Sequence, residues 1–156
     1  MVRWAVVAGV IAIAATALAQ AGLPGELAGY INWSRANADR VNTPGAHPAS
    51  KDIYFNTPVA RAVRDGKFVY PFAEGTIIVK ERTDPATLTV TTLYTMRKVA
   101  GFDPATGNWQ YGVFERKGSG SFQGAWFGAA QQQMCVGCHV QAKNQDYVFV
   151  PFTSRR

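Results

Sequence analysis

Both cysteines of the 156-residue chain fall in one pentapeptide, Cys135-Val136-Gly137-Cys138-His139. Several chemistries compete for a C-x-x-C pair followed by histidine. A structural zinc site needs four ligands, and outside the pentapeptide the remaining Cys or His is His47 alone. A thioredoxin-type redox pair belongs on a βαβ unit, which the flanking sequence lacks. A plain disulfide suits an exported chain but leaves His139 without a role. Covalent haem attachment uses all three residues. Two thiols at this spacing can each form a thioether to a haem vinyl group, and the next residue then carries its imidazole beneath the iron. Cys135 and Cys138 are the expected attachment points of one haem c, and His139 its proximal iron ligand.

The opposite side of the iron has few candidates. His47 lies in Pro44-Gly45-Ala46-His47-Pro48, a turn-rich loop where a surface or structural role is expected. Met134 abuts the attachment loop, too close in sequence to reach the far side, and Met96 falls on the apolar face of a strand pattern, as core. His47, Met96, a lysine and water remain as candidates, with an open or water-bound iron favoured. An open site implies small-molecule chemistry or gas binding rather than simple electron shuttling.

The elements that must position these residues read as helices first and strands after. Glu26 to Arg40 has a helical pattern after Pro24-Gly25, with Leu27, Tyr30 and Ile31 apolar. Asp52 to Asn56 reads as a short strand, and Pro58 to Asp65 as a helix closed by Gly66. From Gly75 the period becomes two. Thr76 to Arg82 is β-rich, with Ile77, Val79 and Glu81 on one face and Thr76, Ile78 and Lys80 on the other. After Asp84-Pro85, Leu88, Val90, Tyr94 and Met96 share a face opposite Thr89, Thr91, Thr95 and Arg97, the alternation of a half-buried antiparallel strand. Trp109 to Glu115 is a third strand, and a Gly/Ser-rich loop runs from Gly118 to Gly124. A short helix over Trp126 to Met134 leads into the haem loop, and Tyr147 to Phe152 is an apolar extended run. The expected class is α+β: a small antiparallel β-sheet with N-terminal helices packed around one c-type haem.

Composition is globular, with 47% hydrophobic and 17% charged residues. The net charge of +6 is spread along the chain, with no run longer than Arg155-Arg156. That suits a solvated surface, or docking to an acidic redox partner. With neither a basic cluster nor a binding motif, no nucleic-acid partner is expected. Residues 1–19 have the make-up of a signal peptide: Arg3, an apolar run from Trp4 to Ala17, then Ala17-Leu18-Ala19 as a cleavage site. Export to the periplasm is expected, with an uncleaved anchor through Leu23 as the alternative. Residues 20–156 then form a single haem domain.

Several segments, in order, resemble the cytochrome P-460 family. They are Tyr54-Phe55-Asn56, the run Pro71-Phe72-Ala73-Glu74-Gly75-Thr76-Ile77-Ile78-Val79-Lys80-Glu81, Met96-Arg97-Lys98, Gly101-Phe102-Asp103-Pro104, Gly107-Asn108-Trp109-Gln110-Tyr111, the Cys135–His139 pentapeptide and Asp146-Tyr147-Val148-Phe149. The resemblance runs from about Trp33 to Phe152. It implies a β-rich haem domain, usually a homodimer, with five-coordinate iron. In one branch of that family a lysine amine is bonded to a haem meso carbon, and hydroxylamine is oxidised to nitrous oxide or nitrite. In the other, called cytochrome c′-beta, the bond is absent and the protein binds nitric oxide or carbon monoxide under an aromatic cap. Lys80 matches the cross-linking lysine by its place in Gly75-Thr76-Ile77-Ile78-Val79-Lys80-Glu81, although a strand lysine is ordinarily a solvated charge.

A distal carboxylate would help hydroxylamine oxidation as a base. No Asp or Glu occurs between Glu115 and Cys135, where Gln131, Gln132 and Gln133 stand instead; Glu81 or Glu115 could substitute if the fold brought one close. The expected function is oxidation of hydroxylamine or nitric oxide at an open iron, with electrons leaving to a soluble partner cytochrome. The alternatives are a nitric oxide or carbon monoxide carrier capped by Phe55, Phe68 and Phe72, and an electron-transfer cytochrome with Met96 or His47 as sixth ligand.

Overall fold

Side-chain alternation along four long strands decides the architecture. The computed structural model describes residues 22–37, 39–40, 47–49, 51–57, 63–64, 67–118 and 120–149. Within them β1 is Ser34–Arg35, β2 Ile53–Phe55, β3 Val63–Arg64, β4 Lys67–Phe68, β5 Ile77–Thr83, β6 Val90–Lys98, β7 Trp109–Arg116 and β8 Phe122–Trp126. Six of these form one sheet in the order β1-β2-β5-β6-β7-β8, and β3 and β4 make a separate pair. Every pairing is antiparallel. Among the described residues one α-helix, α1 (Gln133–His139), follows the sheet and runs into a 3-10 stretch at Val140–Gln145. The expected antiparallel sheet is present and the class is α+β.

The register sorts side chains onto two faces. Opposite partners are Ile53 and Lys80, Phe55 and Ile78, Lys80 and Tyr94, Ile78 and Met96, Met96 and Tyr111, Lys98 and Trp109. All therefore share one face, here the front. Ile53, Phe55, Ile78, Met96, Trp109 and Tyr111 form its apolar core with Phe68, Phe72, Tyr147 and Val148. The intervening residues, Val79, Leu93 and Phe114, make the back core with Leu27, Tyr30 and Phe122. Removing a Trp-sized side chain such as wholly buried Trp109 from water contributes about 5 kcal/mol before conformational entropy is subtracted.

Several expected elements differ. Glu26 to Arg40 is not a helix but two 3-10 turns, Gly25–Leu27 and Tyr30–Asn32, followed by β1. Gly29 separates the turns at φ 74°, and the Asn37 side chain accepts from Ile53 N and donates to Lys51 O, drawing the backbone to the edge of β2. Such side-chain bonds compete with helix formation, and pairing with β2 wins. Of the helix expected over Pro58 to Asp65, Val63–Arg64 is a strand and the rest lies outside the described residues. Leu88 is not on a strand face: it is 64% exposed at φ 56°, in a turn where Asp84 Oδ1 accepts from Ala86 N and Thr87 N. A register shift between Arg82 and Thr83 sets Val90, the first residue of β6, opposite Thr83 and against the back core, not on the face of Tyr94 and Met96. Trp126 ends β8 instead of opening a helix, because Phe122 to Trp126 pair with β7 and α1 starts only at Gln133. Tyr147 is left-handed (φ 63°) rather than extended, and the end of that run falls outside the described residues, as does the 1–19 segment. Among the described residues no helix is long and apolar enough to cross a membrane.

Candidate functional site

Helix α1 places Cys135, Cys138 and His139 at i, i+3 and i+4, hence along one side. Its approach to the sheet is set by Gln132, a wholly buried amide. The Gln132 oxygen accepts from Tyr111 N at 3.2 Å, and its nitrogen donates to Trp109 O at 3.2 Å and Asp103 Oδ2 at 3.4 Å. Cys135 and Val136 pack on the front core, Cys138 is exposed, and both thiols are free.

His139 lies half-buried against the front face, with ring centroids 4.9 Å from Tyr111 and 5.3 Å from Phe149. Its Nδ1 is 2.6 Å from the Tyr147 carbonyl oxygen. A carbonyl can only accept, so Nδ1 carries the proton and the lone pair is left on Nε2. Burial, with a smaller push from Lys80, lowers the pKa of His139 against the opposing effect of that hydrogen bond. The neutral imidazole so favoured is the form that binds a metal.

Lys80 sits on the same face, half-buried, and burial followed by the neighbouring Lys51 charge brings its pKa down to about 8. It is not the solvated strand lysine that position ordinarily implies. His47 joins it. Instead of lying on the surface, His47 stacks on Tyr94 at 3.9 Å and 13° between planes, and its centroid is 6.5 Å from that of His139. Tyr94, projecting from the front of β6 opposite Lys80, supplies the platform for the His47 ring. Burial, then the charges of Lys80, His139 and Lys51, lower the His47 pKa to about 4.

The other candidates have different roles. Met96 is buried core, as expected, and Phe55, Phe68 and Phe72 pack together with centroids 5.8 to 6.0 Å apart. Gln131 and Gln133 bond to nearby backbone (Gly128 N, Ala129 O), so with Gln132 all three glutamines serve the chain's own structure. Glu81 turns to the back face, where its carboxylate accepts from Tyr30, and Glu115 is exposed beside Lys117. Glu81 is thus on the side of the sheet away from His139, whereas Glu115 shares the front-face parity of Tyr111 but lies at the far end of β7, paired with Lys117. Tyr111 and Tyr147 fall inside the family-like segments and Gln132 beside the pentapeptide, but what they and Tyr94 do at the site follows only from the register and the docking of α1.

Residues 27–150 match the family model described as Cytochrome P460. The chain belongs to the cytochrome P460 family. Comparison with curated proteins returns no match. Membership makes the protein a haem cytochrome, and the residues fit that cofactor. A P460 cytochrome needs an imidazole with a free nitrogen, which His139 provides, and an apolar wall, which the front face provides. Among the described residues, the Tyr111 hydroxyl and His47 Nδ1 are also buried without a hydrogen-bond partner. A buried polar atom left in that state costs about 1–3 kcal/mol, which a bound group at this P460 site can offset.

Proposed function

We propose that this cytochrome holds one haem c through thioethers at Cys135 and Cys138, with His139 as proximal ligand and the distal iron position open, and that it oxidises hydroxylamine or nitric oxide. The observation that carries the reading is a run of neighbours on one face of the sheet: Lys80 lies opposite Tyr94, His47 stacks on Tyr94, and the His47 ring centroid is 6.5 Å from that of His139. That arrangement supports Lys80 as the residue that would bond to the haem edge, as in the hydroxylamine-oxidising branch. When bound, the haem supplies the redox chemistry and the coordination site for a small nitrogen compound. His139 would hold the metal through Nε2, its tautomer set by the Tyr147 carbonyl. The front-face aromatics exclude water, and the lowered pKa of Lys80 keeps a fraction of its amine neutral and nucleophilic near pH 7.

A second reading, a nitric oxide or carbon monoxide carrier, is supported by one specific observation. Of the two glutamates considered as the base, Glu81 is turned to the back of the sheet and bonded to Tyr30, and Glu115 is exposed and paired with Lys117. The proposal also includes periplasmic export, a homodimer and electron transfer to a soluble cytochrome, with the +6 net charge favouring an acidic partner.

Intact mass and spectra of the matured protein test these readings together. The enzyme reading expects the mass of one haem, a broadened and red-shifted ferrous spectrum, a haem peptide containing Lys80, and hydroxylamine consumption. Lys80→Arg should remove the red shift and the cross-linked peptide. An ordinary ferrous spectrum that shifts with carbon monoxide leaves the carrier reading. One indifferent to carbon monoxide leaves electron transfer, and a colourless protein sinks all three.

A further inference from the structure

The carbonyl that accepts from His139 belongs to an unusual stretch of backbone. Asp146 and Tyr147 are consecutive non-glycine residues at φ 53° and 63°, both left-handed. Each such residue costs of order 1 kcal/mol, so the surroundings must over-determine the pair. They do so at four points. The Asp146 carboxylate accepts from Lys98 Nζ at 2.6 Å and from Phe72 N at 2.8 Å. Trp109 Nε1 donates to Asp146 O at 2.7 Å, and the Tyr147 hydroxyl donates to Ala105 O at 3.0 Å.

The Lys98–Asp146 pair is itself costly. Its side chains are only 6% and 7% exposed, and burying two charges rarely repays its desolvation in stability alone. Lys98 ends β6 on the front face directly opposite Trp109, so one ion pair ties β6, β7 and the segment after α1 together. The product of this arrangement is a carbonyl oxygen held 2.6 Å from His139 Nδ1.

We infer that Lys98 and Asp146 are positioning residues for His139: their buried ion pair locks the left-handed turn that presents the Tyr147 carbonyl to Nδ1, fixing the imidazole's orientation and its donation to the iron. This rests on the reading of His139 as the haem ligand. A hydrogen bond from Nδ1 raises the basicity of a ligating imidazole. Loosening the turn therefore weakens the iron–histidine bond and favours the reduced iron.

The test compares holoproteins of the wild type, Lys98→Met, Lys98→Arg and Trp109→Phe. Trp109→Phe removes the indole donor to the Asp146 carbonyl and leaves the ion pair in place. Intact mass reports haem attachment, resonance Raman the iron–histidine stretch, and spectroelectrochemistry the potential. Lys98→Met should keep its haem, lower the stretch frequency, and shift the oxidised-to-reduced ratio at fixed potential about tenfold toward reduced, equivalent to about 59 mV. Lys98→Arg should restore most of both, and Trp109→Phe should move both the same way by less. Should Lys98→Met yield no holoprotein, Trp109→Phe decides. Lower melting temperatures with unchanged stretch and potential would overturn the inference and leave the ion pair merely structural. A wild type without attached haem refutes the underlying reading instead. In that event the clamp is still read from the His139 Nδ1–H proton resonance, which Trp109→Phe should expose to exchange.

Discussion

On the back of the sheet, the Tyr30 hydroxyl donates to Glu81 Oε1 at 2.8 Å, with both residues at most 4% exposed. Burial raises the Glu81 pKa, the Tyr30 hydrogen bond pulls it down, Asp52 raises it again, and Arg40 and Arg116 lower it. A carboxyl whose folded-state pKa is raised favours folding in its protonated form. That contribution is whole below the unfolded-state pKa and is lost as pH climbs through the higher folded-state pKa. Tyr30→Phe keeps the ring in the back core and deletes only the donor. Where alkaline pH has ionised Glu81 the lost bond is to a carboxylate, worth about 1.5–3 kcal/mol; near pH 4 it is to a neutral acid, worth about 1 kcal/mol. At roughly 4 °C per kcal/mol, the melting point should fall by about 6–12 °C at the higher pH and about 4 °C at the lower. Without its donor Glu81 titrates higher still, so the variant should lose stability more steeply with rising pH than the parent. Thermal unfolding of the holoprotein by far-ultraviolet circular dichroism measures this. The haem spectrum should not change, because Tyr30 and Glu81 face away from His139. Equal losses at both pH values, or a larger loss in acid, would refute the reasoning.

A Cβ on Gly124 would run into the Val113 carbonyl oxygen and sit 2.7 Å from Phe114 Cα, both backbone atoms that cannot yield without parting β7 from β8. Gly124→Ala should therefore cost at least about 3 kcal/mol in urea unfolding. Gly107 has φ 71°, and an added Cβ would stand 2.9 Å from the Tyr147 ring; Gly107→Ala should cost about 1–2 kcal/mol and, unlike Gly124→Ala, also perturb the iron–histidine stretch. Glu26 Oε1 accepts from Arg97 at 2.6 Å and Trp126 Nε1 at 2.8 Å. With Arg97 and Glu26 29% and 37% exposed, Glu26→Ala should cost only about 1–2 kcal/mol by chemical denaturation, and less as salt is raised.

What could be read before the structure was what is local. The Cys135–His139 spacing needs only one helical turn to align its three side chains, and α1 supplies it. The alternation through Thr76 to Glu115 likewise shows in the residues themselves, and β5, β6 and β7 follow it. The errors arose where a distant partner overrides local pattern. The helical period after Glu26 is real, yet Asn37 spends its amide on Lys51 and Ile53, and the chain runs along β2 instead.

The site shows the same limit more sharply. Alternation puts Lys80 with Ile78 and against Val79, but cannot tell which of two aromatic-rich faces will carry the chemistry. That choice belongs to the helix bearing His139, which Gln132 anchors by bonding the backbone of Trp109 and Tyr111 while Cys135 and Val136 pack on the front core. Had α1 docked on the other face, Lys80 would be an ordinary half-buried charge and Glu81 would face the imidazole in its place. A proton acceptor would then stand in the site and the candidate cross-linking amine would not. One buried glutamine amide, with no motif to announce it, thus separates two different chemistries available to nearly the same strand.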